Sequence, residues 1–533
     1  MRGVLVRCGV LGWMLGCSGG AKDPALPDGG GTDGGGTDGG STAETIPAFA
    51  SSVSANEHNP FAALVAVSLE QAARVHIEYG EGALTHQTPA MEVGAGESAQ
   101  IQVLGLRAGR SFQVQAVATV DGEETRGQVH EFSTDPLPDT WPTCTPDFTL
   151  SEAEFDADEV LCTHGLSTDG RRFYFCTDYW GETVFSIASD DNDLLMSMKP
   201  LQDGSWASTS GSSASLYLFD ELGASTDKLL SSYFRDRTRF SHQFIDSHDL
   251  IQIDSGIWSG AIVILTLSAE FLTETEYKMG NGLIVYDPLT DEVLYDYHFL
   301  GPIDDGTSVN PLVSFDRDGS GDNEEDWTHV NSMVHGEDPD GREYLLLSLK
   351  AQDWIVKLYP DTDEIGWILG REGDFTLVDD IEAAEPVELS PIEWAYHQHG
   401  IVPVQSDDGY THLLMLDNGY PRHDGLDYVY DDAYSRAIEY RIDEERRLVD
   451  IVFEYGDSDR RSPEYFLSEI CGNVVLTEES DRLLVLDGVA GTRIELDYPQ
   501  ATERWRMRCS PLELCEYRLE WYPSLYERDW YYR

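Results

Sequence analysis

A unit of short strands headed by a histidine occurs three times in this sequence, and the repetition restricts the fold more than any other feature. The clearest copy begins at His329 and continues through four short alternating or apolar runs, at residues 330–334, 344–349, 354–359 and 365–369. Asp, Gly and Pro residues of the kind that terminate strands separate these runs. Four short antiparallel strands in succession make one blade of a β-propeller.

The second copy begins at His399, and a third, less regular copy begins at His248. The heads of the three copies are roughly 70 to 80 residues apart, which is longer than the spacing of simple propeller repeats and indicates insertions. Blades surround an axis, so equivalent positions of successive blades converge on one central channel. We therefore expect the three histidines to be neighbours in the fold.

The remaining segments also consist of short strands. Residues 46–135 contain evenly spaced alternating runs with turn residues between them, as in a fibronectin type III-like β-sandwich, and we expect a spacer or docking module there. Residues 136–533 contain strand after strand, with a final segment, CEYRLEWYPS, that can add a strand to the first blade. The sequence predicts an all-β protein, a six-bladed β-propeller preceded by a small β-sandwich.

The charge of the chain excludes some classes of partner. With 97 acidic and 35 basic residues, the formal net charge is −62. Nucleic acid and anionic membrane surfaces repel such a chain, so we expect neither as a partner. An anionic substrate would need a local positive pocket.

The first 45 residues predict export. Residues 1–16 contain Arg2, Arg7 and a short apolar run, as in a secretory signal, and the run is too short to span a membrane. Cys17 follows Met14, Leu15 and Gly16, which resembles a bacterial lipobox, so we expect lipidation of Cys17. Ordinary secretion with nearby cleavage is the alternative. Residues 17–45 continue from this cysteine as a flexible tether rich in Gly, Asp and Thr.

Six cysteines remain beyond the N-terminal segment, and an even number in an exported chain suggests disulfides. Cys162 and Cys176 flank a hairpin turn, which would place them almost opposite each other. Cys509 with Cys515 is the next pairing that we expect. The absence of CxxC spacing argues against a zinc site.

The three histidines are the candidates for chemistry, together with Lys350 and with His397, which could exchange roles with His399. Three polar residues near them are the candidates for binding substrate: Asn331, Asn418 and Arg436. In an acidic protein, a lysine or arginine beside the axis is a candidate anion anchor, although both could be ordinary surface charges. Several imidazoles with a cation and no thiol could bind a metal, or could handle an anionic group with imidazole as nucleophile or acid. The spacing does not decide between these chemistries.

Five ordered motifs, DWTHVNSM, LLLSLKAQDWIVKL, YHQHGIVP, LLMLDNG and SRAIEY, resemble the bacterial arylsulfate sulfotransferase family. The resemblance covers about residues 135–486. It implies an exported six-bladed propeller that moves a sulfuryl group from a phenolic sulfate ester to a phenol, without a nucleotide sulfate donor. Phenolic sulfates and phenols are therefore the expected partners.

The resemblance also implies residue roles. His399 corresponds to the family's transiently sulfated nucleophile, and His329 and His248 correspond to its other two histidines. Lys350 stands where well-studied members have arginine, so a point charge replaces a planar fork that binds two sulfate oxygens. Two half-reactions through one covalent intermediate predict ping-pong kinetics. A propeller that binds a ligand without turnover, and hydrolysis with water as acceptor, are the alternatives.

Two further features have a structural and a functional interpretation. Asp316, Asp318, Ser320 and Asp322 alternate with glycines like the start of a calcium loop, but Trp327 occupies the closing position, so we expect a solvated acidic loop and no cofactor, with calcium as the alternative. Trp327, Trp354 and Tyr396 could stack on phenol rings, and we expect them instead to pack between blades.

Overall fold

The computed structural model describes residues 49–235, 237–238, 244–271, 276–299, 314–315, 323–420, 422–424, 427–429, 433–477, 479, 481–510 and 515–526. Four predicted features lie outside these residues: the signal, the lipidation of Cys17, the tether, and the calcium candidates Asp316, Asp318, Ser320 and Asp322. The regular structure of the described chain is almost entirely strand, with one short helix, α1 (Ser231–Arg235), and 3-10 turns at Glu152–Glu154, Gly256–Trp258, Lys350–Gln352 and Pro391–Glu393. Within it, no helix is long and apolar enough to cross a membrane.

The first eight strands form two antiparallel sheets around a shared apolar core. They are β1 (Ala50–Ala55), β2 (Ala63–Ser68), β3 (Ala73–Gly80), β4 (His86–Gln87), β5 (Met91–Val93), β6 (Ser98–Val103), β7 (Ser111–Val120) and β8 (Glu123–Ser133). One sheet has the order β1-β2-β6 and the other β4-β3-β7-β8, with β5 paired to β3. Alternate residues such as Val65, Val75 and Val114 are fully buried between the sheets. The likeness to fibronectin type III domains stays a prediction.

Six further sheets follow, and all but two of their strand pairings are antiparallel. We number them one to six along the chain. Their strands are β9 (Thr143–Phe148), β10 (Val160–Leu166), β11 (Arg172–Thr177), β12 (Thr183–Ile187), β13 (Leu195–Pro200), β14 (Trp206–Ser210), β15 (Ser215–Phe219), β16 (Ser225–Leu230), β17 (Phe244–Gln252), β18 (Ile262–Phe271), β19 (Glu276–Asp287), β20 (Glu292–His298), β21 (Ser314–Phe315), β22 (Asn323–Asp326), β23 (Val330–Glu337), β24 (Glu343–Leu349), β25 (Trp354–Tyr359), β26 (Glu364–Gly370), β27 (Thr376–Leu377), β28 (His399–Val404), β29 (Thr411–Asp417), β30 (Arg422–Asp424), β31 (Asp427–Val429), β32 (Arg436–Asp443), β33 (Leu448–Tyr455), β34 (Val474–Leu476), β35 (Arg482–Asp487), β36 (Thr492–Asp497), β37 (Thr502–Ser510) and β38 (Glu520–Tyr522).

Each of the six sheets is a run of neighbouring antiparallel strands. The orders are β38-β10-β11-β12, β13-β14-β15-β16, β17-β18-β19-β20, β23-β24-β25-β26, β28-β29-β32-β33 and β34-β35-β36-β37. Strands β22 and β21 extend the third sheet from β19, β27 extends the fifth from β33, β9 extends the sixth from β37, and β30 pairs with β31 alone. The all-β expectation is confirmed.

The second strands of sheets three to six are largely buried on both faces, which explains their nearly continuous apolar sequences. In β24, Leu345, Leu347 and Leu349 are fully buried against sheet three, while Leu346 packs toward sheet five. Separate apolar clusters fill the spaces between successive sheets. These clusters include Trp327, Trp354 and Tyr396, which supports the expected role of the three side chains in packing between sheets.

Contacts of the first strands, or of residues next to them, connect the six sheets in succession, and all but one of these contacts are polar. Glu520 of sheet one binds Lys199 of sheet two, and Ser197 of sheet two donates to Asp249 of sheet three. Asp249 also accepts the backbone N–H of Met333 in sheet four. The remaining links join sheet four to five through Asn331 and Gln398, bring Gly400 of sheet five against Asn473 of sheet six, and return to sheet one through Asn473 and Leu519.

Strands from the two ends of the segment 143–526 each pair with a sheet formed mainly by the opposite end. The C-terminal strand β38 pairs with β10 in sheet one, as the sequence predicts. The early strand β9 instead pairs with β37 in sheet six, and the Cys144–Cys509 disulfide joins them. The predicted Cys162–Cys176 disulfide is confirmed.

The predicted Cys509–Cys515 pairing is wrong. Cys509 faces Cys144 because a strand from the beginning of this region lies beside β37, and Cys515 pairs with Cys471 instead. Nearness in sequence was therefore misleading, since the partner strand of β37 comes from residues more than three hundred positions earlier.

The β-sandwich packs against sheet one at the end of β38 that is remote from Tyr517. Arg107 of the sandwich binds the buried Asp178 carboxylate at 2.6 Å, and the hydroxyl of Tyr526 accepts the backbone N–H of Leu104 at 2.8 Å. A cleft of about 790 Å³ lies between the two parts, with Tyr79 and Tyr526 in its wall.

A buried histidine belongs to a hydrogen-bond network that joins sheets five and six through Glu439. His412 Nδ1 lies 2.7 Å from Glu439 Oε1 and its Nε2 lies 3.0 Å from Asp408 Oδ2. The other Glu439 oxygen accepts the hydroxyl of Tyr498, which follows the last residues of β36. The hydrogen bond to Glu439, and then that to Asp408, raise the pKa of His412 above its ordinary value of 6.5, against the effect of burial.

Replacing His412 tests this connection. A group whose pKa is raised in the folded state stabilises the fold fully below its unfolded pKa, and the contribution is lost as the pH rises through the folded pKa. We expect His412→Gln to lower the free energy of unfolding by about 1 to 3 kcal/mol at about pH 5.5, and by less at about pH 9. Urea unfolding at both pH values measures the difference. His58→Gln, at a half-exposed sandwich position, is the control. A loss that is equal at both pH values would contradict the assignment.

Candidate functional site

Irregular pairing interrupts the first strands of three neighbouring sheets at the predicted site residues. The ladder between β17 and β18 is broken around His248. The ladder of β23 is broken at Asn331, and that of β28 directly after His399. A bulge turns side chains away from the regular alternation of a strand. Each of the three sheets therefore presents a polar side chain that a regular strand would orient differently.

The structure brings the three predicted histidines together. The rings of His248 and His329 lie 4.7 Å apart between centroids, with their planes inclined at 62°. Tyr517 lies beside both His248, at 5.5 Å, and His399, at 6.2 Å. The Tyr517 hydroxyl donates to the backbone carbonyl of Asn331 at 3.1 Å. Burial raises the pKa of Tyr517, so its phenol stays neutral at ordinary pH.

His399 is buried as a neutral imidazole with a defined tautomer. Its Nδ1 lies 2.6 Å from Asn418 Oδ1 and 3.1 Å from the carbonyl of His397. Both partners are oxygens that accept, so Nδ1 carries the proton and Nε2 carries the lone pair. Nε2 has no hydrogen-bond partner among the described residues. Burial, then the positive charge of Lys350, hold the pKa of His399 well below 6.5.

Asn418 fixes the orientation of His399. Its Nδ2 donates to the carbonyls of Ser468, at 2.5 Å, and Cys471, at 3.0 Å, which directs Oδ1 toward the imidazole. Asn418 is fully buried. Binding of substrate by Asn418 stays a prediction, and the contact that its side chain makes in the structure is with the imidazole.

Lys350 lies on the turn that follows β24, next to His329. Its backbone N–H donates to the carbonyl of His329 at 3.1 Å. His329 has φ of +48°, a left-handed conformation that non-glycine residues rarely adopt. Its strain indicates that the surrounding contacts determine where this imidazole lies.

His397 lies close by but is bound differently. Its Nδ1 donates to the carbonyl of Tyr420 at 2.6 Å, and its backbone N–H donates to Asp353 Oδ1 at 2.8 Å. Burial, and then Lys350, lower the pKa of His397 to about 4. His399 shares the Tyr517 ring with His248, so His399 is the residue that the geometry groups with the other two histidines.

The remaining two candidates have structural contacts. Asn331 is fully buried, and its Nδ2 donates to the carbonyl of Gln398 at 2.7 Å. The guanidinium of Arg436 binds Asp417 and Glu454, each at 2.8 Å. Burial opposes the charge of Arg436, but these carboxylates outweigh it and raise the pKa. Its positive charge is therefore balanced within sheet five, which does not favour a role in binding substrate.

Three residues of the site were not predicted from the sequence. Asp246 lies two positions before His248, and its Oδ1 is 2.6 Å from His248 Nδ1. The short spacing was a visible signal for this carboxylate. Asn281 binds Asp246 from β19, and Tyr517 comes from the segment before β38. Neither has a local signal, because only the sheet order brings them to the histidines.

The arrangement is suited to nucleophilic chemistry on an anion. It places a neutral imidazole with an available lone pair beside a lysine and two further imidazoles. Such a set can attack an electrophilic centre and exchange protons with a leaving group. Among the described residues, no group of three or more His, Cys, Asp or Glu side chains is arranged to hold a metal ion.

The chain is similar to known proteins in sequence. A curated arylsulfate sulfotransferase, AssT of Escherichia coli O6:H1 strain CFT073, is 29% identical over 142 residues, which are 24% of this chain. The match spans 23% of that relative's length.

Solved structures with low identity also align with much of the chain. A putative 6-phosphogluconolactonase from Bacteroides uniformis is 9% identical, covers 84% of this chain and 99% of its own, and has a TM-score of 0.35. The periplasmic gluconolactonase PpgL of Pseudomonas aeruginosa is 10% identical, covers 85% and 99% of the two chains, and has a TM-score of 0.33.

A family profile matches most of the region that contains the six sheets. The profile is that of arylsulfotransferase (ASST), and it covers residues 144–520, more than half of the chain. The match includes His248, His329, Lys350 and His399. The chain belongs to the arylsulfotransferase (ASST) family.

Proposed function

We propose that this protein is an aryl sulfotransferase that moves a sulfuryl group from a phenolic sulfate ester to a phenol, with His399 as the nucleophile. Family membership supports the reaction class. The observation that carries the residue assignment is the buried, neutral imidazole of His399, whose Nδ1 is bound by Asn418 and whose Nε2 has no partner in the described structure.

In the first half-reaction, His399 Nε2 attacks the sulfur of the donor. The N–S bond forms as the bond between sulfur and the phenolic oxygen breaks, and the electron pair leaves with that oxygen. A proton from the His248–His329 pair neutralises the developing phenolate. The ammonium of Lys350 attracts the sulfate oxygens and stabilises their charge in the transition state. The product is a phenol and a sulfated His399.

In the second half-reaction, an acceptor phenol attacks the same sulfur. Its proton passes to the imidazole that protonated the first leaving group, and the N–S electron pair returns to His399. Donor and acceptor use one place in turn, which predicts ping-pong kinetics. The shared Tyr517 ring, which lies against both His248 and His399, offers an aromatic surface for a phenol at that place.

We propose that the six sheets form a closed six-bladed propeller. The contacts that link each sheet to the next, and sheet six back to sheet one, support closure. Strands β9 and β38 come from opposite ends of the region and complete sheets six and one. The N-terminal sequence supports a lipid anchor at Cys17 and a location in the bacterial envelope, in the periplasm or on the outer membrane.

A transfer assay with a nucleophile variant tests the proposal. We expect 4-nitrophenyl sulfate to release nitrophenol faster when excess phenol is present. Because the covalent route needs the imidazole, His399→Ala should lower this rate at least about a thousandfold. His397→Gln is the matched control and should retain far more activity. Absence of release by folded protein, over several phenols and a range of pH, would favour a propeller that binds without turnover, and phenol-independent release would favour hydrolysis.

The pH dependence of Lys350 variants provides a second test. His399 must be neutral to attack, and the Lys350 charge lowers the pKa of His399. We therefore expect the wild-type rate to persist at pH values below 6.5. In Lys350→Gln, the acid limb of kcat/KM should move to higher pH by about one unit. The KM for the donor should rise roughly tenfold to a hundredfold, because a charge-assisted contact is lost.

Lys350→Arg is the control for this experiment. It retains the positive charge, so the acid limb should stay near its wild-type position while the donor KM changes. If the acid limb of Lys350→Gln stays in place as well, the lysine does not act on His399 in the way proposed.

A further inference from the structure

Asp246 connects the site histidine His248 to a second buried residue, Asn281. Asp246 Oδ1 lies 2.6 Å from His248 Nδ1, and Oδ2 accepts Asn281 Nδ2 at 2.5 Å. Asp246 is 7% exposed and Asn281 is fully buried. The two oxygens of one carboxylate thus have different partners, His248 on β17 and Asn281 on β19, the two strands that flank β18.

The opposite side of Asn281 holds the backbone around His329. Its Oδ1 accepts the Thr328 hydroxyl at 2.9 Å and the Val330 N–H at 2.8 Å. Its own backbone N–H donates to the Thr328 hydroxyl at 2.7 Å. Thr328 and Val330 flank His329, the residue with the left-handed φ. Asn281 therefore helps to hold His329 in a conformation that an unsupported chain would leave.

The carboxylate of Asp246 is ionised. Burial raises its pKa, but the His248 and His329 rings and the Asn281 amide outweigh burial, so the pKa lies below its usual value. An ionised carboxylate only accepts, so His248 Nδ1 carries a proton. This tautomer leaves Nε2 as the nitrogen of His248 that can gain or lose a proton.

We propose that Asp246 and Asn281 are positioning residues for proton exchange with the phenol oxygen, Asp246 by fixing the tautomer of His248, and Asn281 by joining that carboxylate to the backbone of His329. The inference rests on the proposed sulfuryl transfer and deepens it. Neither residue touches the substrate in this scheme, and each acts through a histidine.

The proton transfers of the two half-reactions balance. As the bond between sulfur and the donor oxygen breaks, protonated His248 gives its Nε2 proton to the departing phenolate and becomes neutral. The Nδ1 proton stays on His248, bound by Asp246. In the second half-reaction, the acceptor phenol returns a proton to Nε2 as its oxygen attacks sulfur.

Dependence on the leaving group distinguishes positioning from a merely structural role. A nitrophenolate is a stable anion and needs little protonation as it leaves, whereas unsubstituted phenolate needs much more. We expect Asp246→Asn to lower kcat/KM for phenyl sulfate by about a hundredfold, and for 4-nitrophenyl sulfate by about tenfold or less. The acceptor is the same in both assays, and phenol and nitrophenol are quantified by chromatography.

Incomplete folding of the variant does not change the ratio of the two losses in kcat/KM. If part of the variant is unfolded, the amount of active protein falls equally for both donors and the ratio is unchanged. Asp254→Asn is the matched control, since Asp254 lies just after β17 and its side chain is partly exposed. It should leave the ratio at the wild-type value.

A double-mutant cycle tests whether Asp246 acts through His248. If it does, adding Asp246→Asn to His248→Gln should change the leaving-group ratio by less than about twofold, because the group that Asp246 positions is already absent. Equal losses for both donors in Asp246→Asn, or additive losses in the double variant, would overturn the inference. Absence of transfer by the wild-type protein would instead overturn the proposed function.

Discussion

A buried ion pair between Asp249 and Arg518 holds the centre of the six-sheet region together. One Asp249 oxygen binds the Arg518 guanidinium and the Ser197 hydroxyl, and the other accepts the N–H of Met333. Arg518 also donates to the carbonyl of Asn331. Four sheets thus meet at one carboxylate. Removing one partner of such a pair leaves an uncompensated buried charge, which costs about 3 to 5 kcal/mol. The fold tolerates these charges because each is bound by several donors or acceptors.

The same bulge of β17 serves both the ion pair and the candidate site. Asp246, His248 and Asp249 lie within four consecutive residues where the ladder with β18 is interrupted. Asp249 is directed to the contacts between sheets, whereas Asp246 and His248 form the polar part of the site. A regular strand would place residues 246 and 248 on one face and 249 on the other, with backbone groups bound to β18. The bulge frees this segment from the ladder, so the packing of the sheets and the position of His248 depend on one local irregularity.

The sequence was sufficient for the repetition and for the convergence of the histidines, because both follow from hydrophobic alternation and symmetry. The strand boundaries of sheet four and the addition of β38 to sheet one agree with the expectation. The sequence was insufficient to predict contacts between segments that are far apart in the chain. The Cys144–Cys509 pair depends on β9 joining sheet six, and the contact of Asn281 with Asp246 depends on the order of β17, β18 and β19. The structural contacts of Arg436 were equally hidden, since carboxylates on three separate segments surround its guanidinium.

The positive charge of Lys350 can have two effects near His399: it attracts an anion, and it lowers the pKa of the imidazole. A chain with a net charge of −62 repels an anionic donor, and surface charges more than about 10 Å away are largely screened in physiological salt. In the proposed reaction, local cations therefore decide whether a sulfate ester stays near His399. The same positive charge disfavours protonation of His399 and so maintains the lone pair that the proposed attack requires. Arginine would supply the second effect equally well, since it depends only on charge. The first effect differs, because an ammonium lacks the planar pair of donors that matches two sulfate oxygens. Lys350→Arg should therefore alter recognition of the donor more than the protonation of His399.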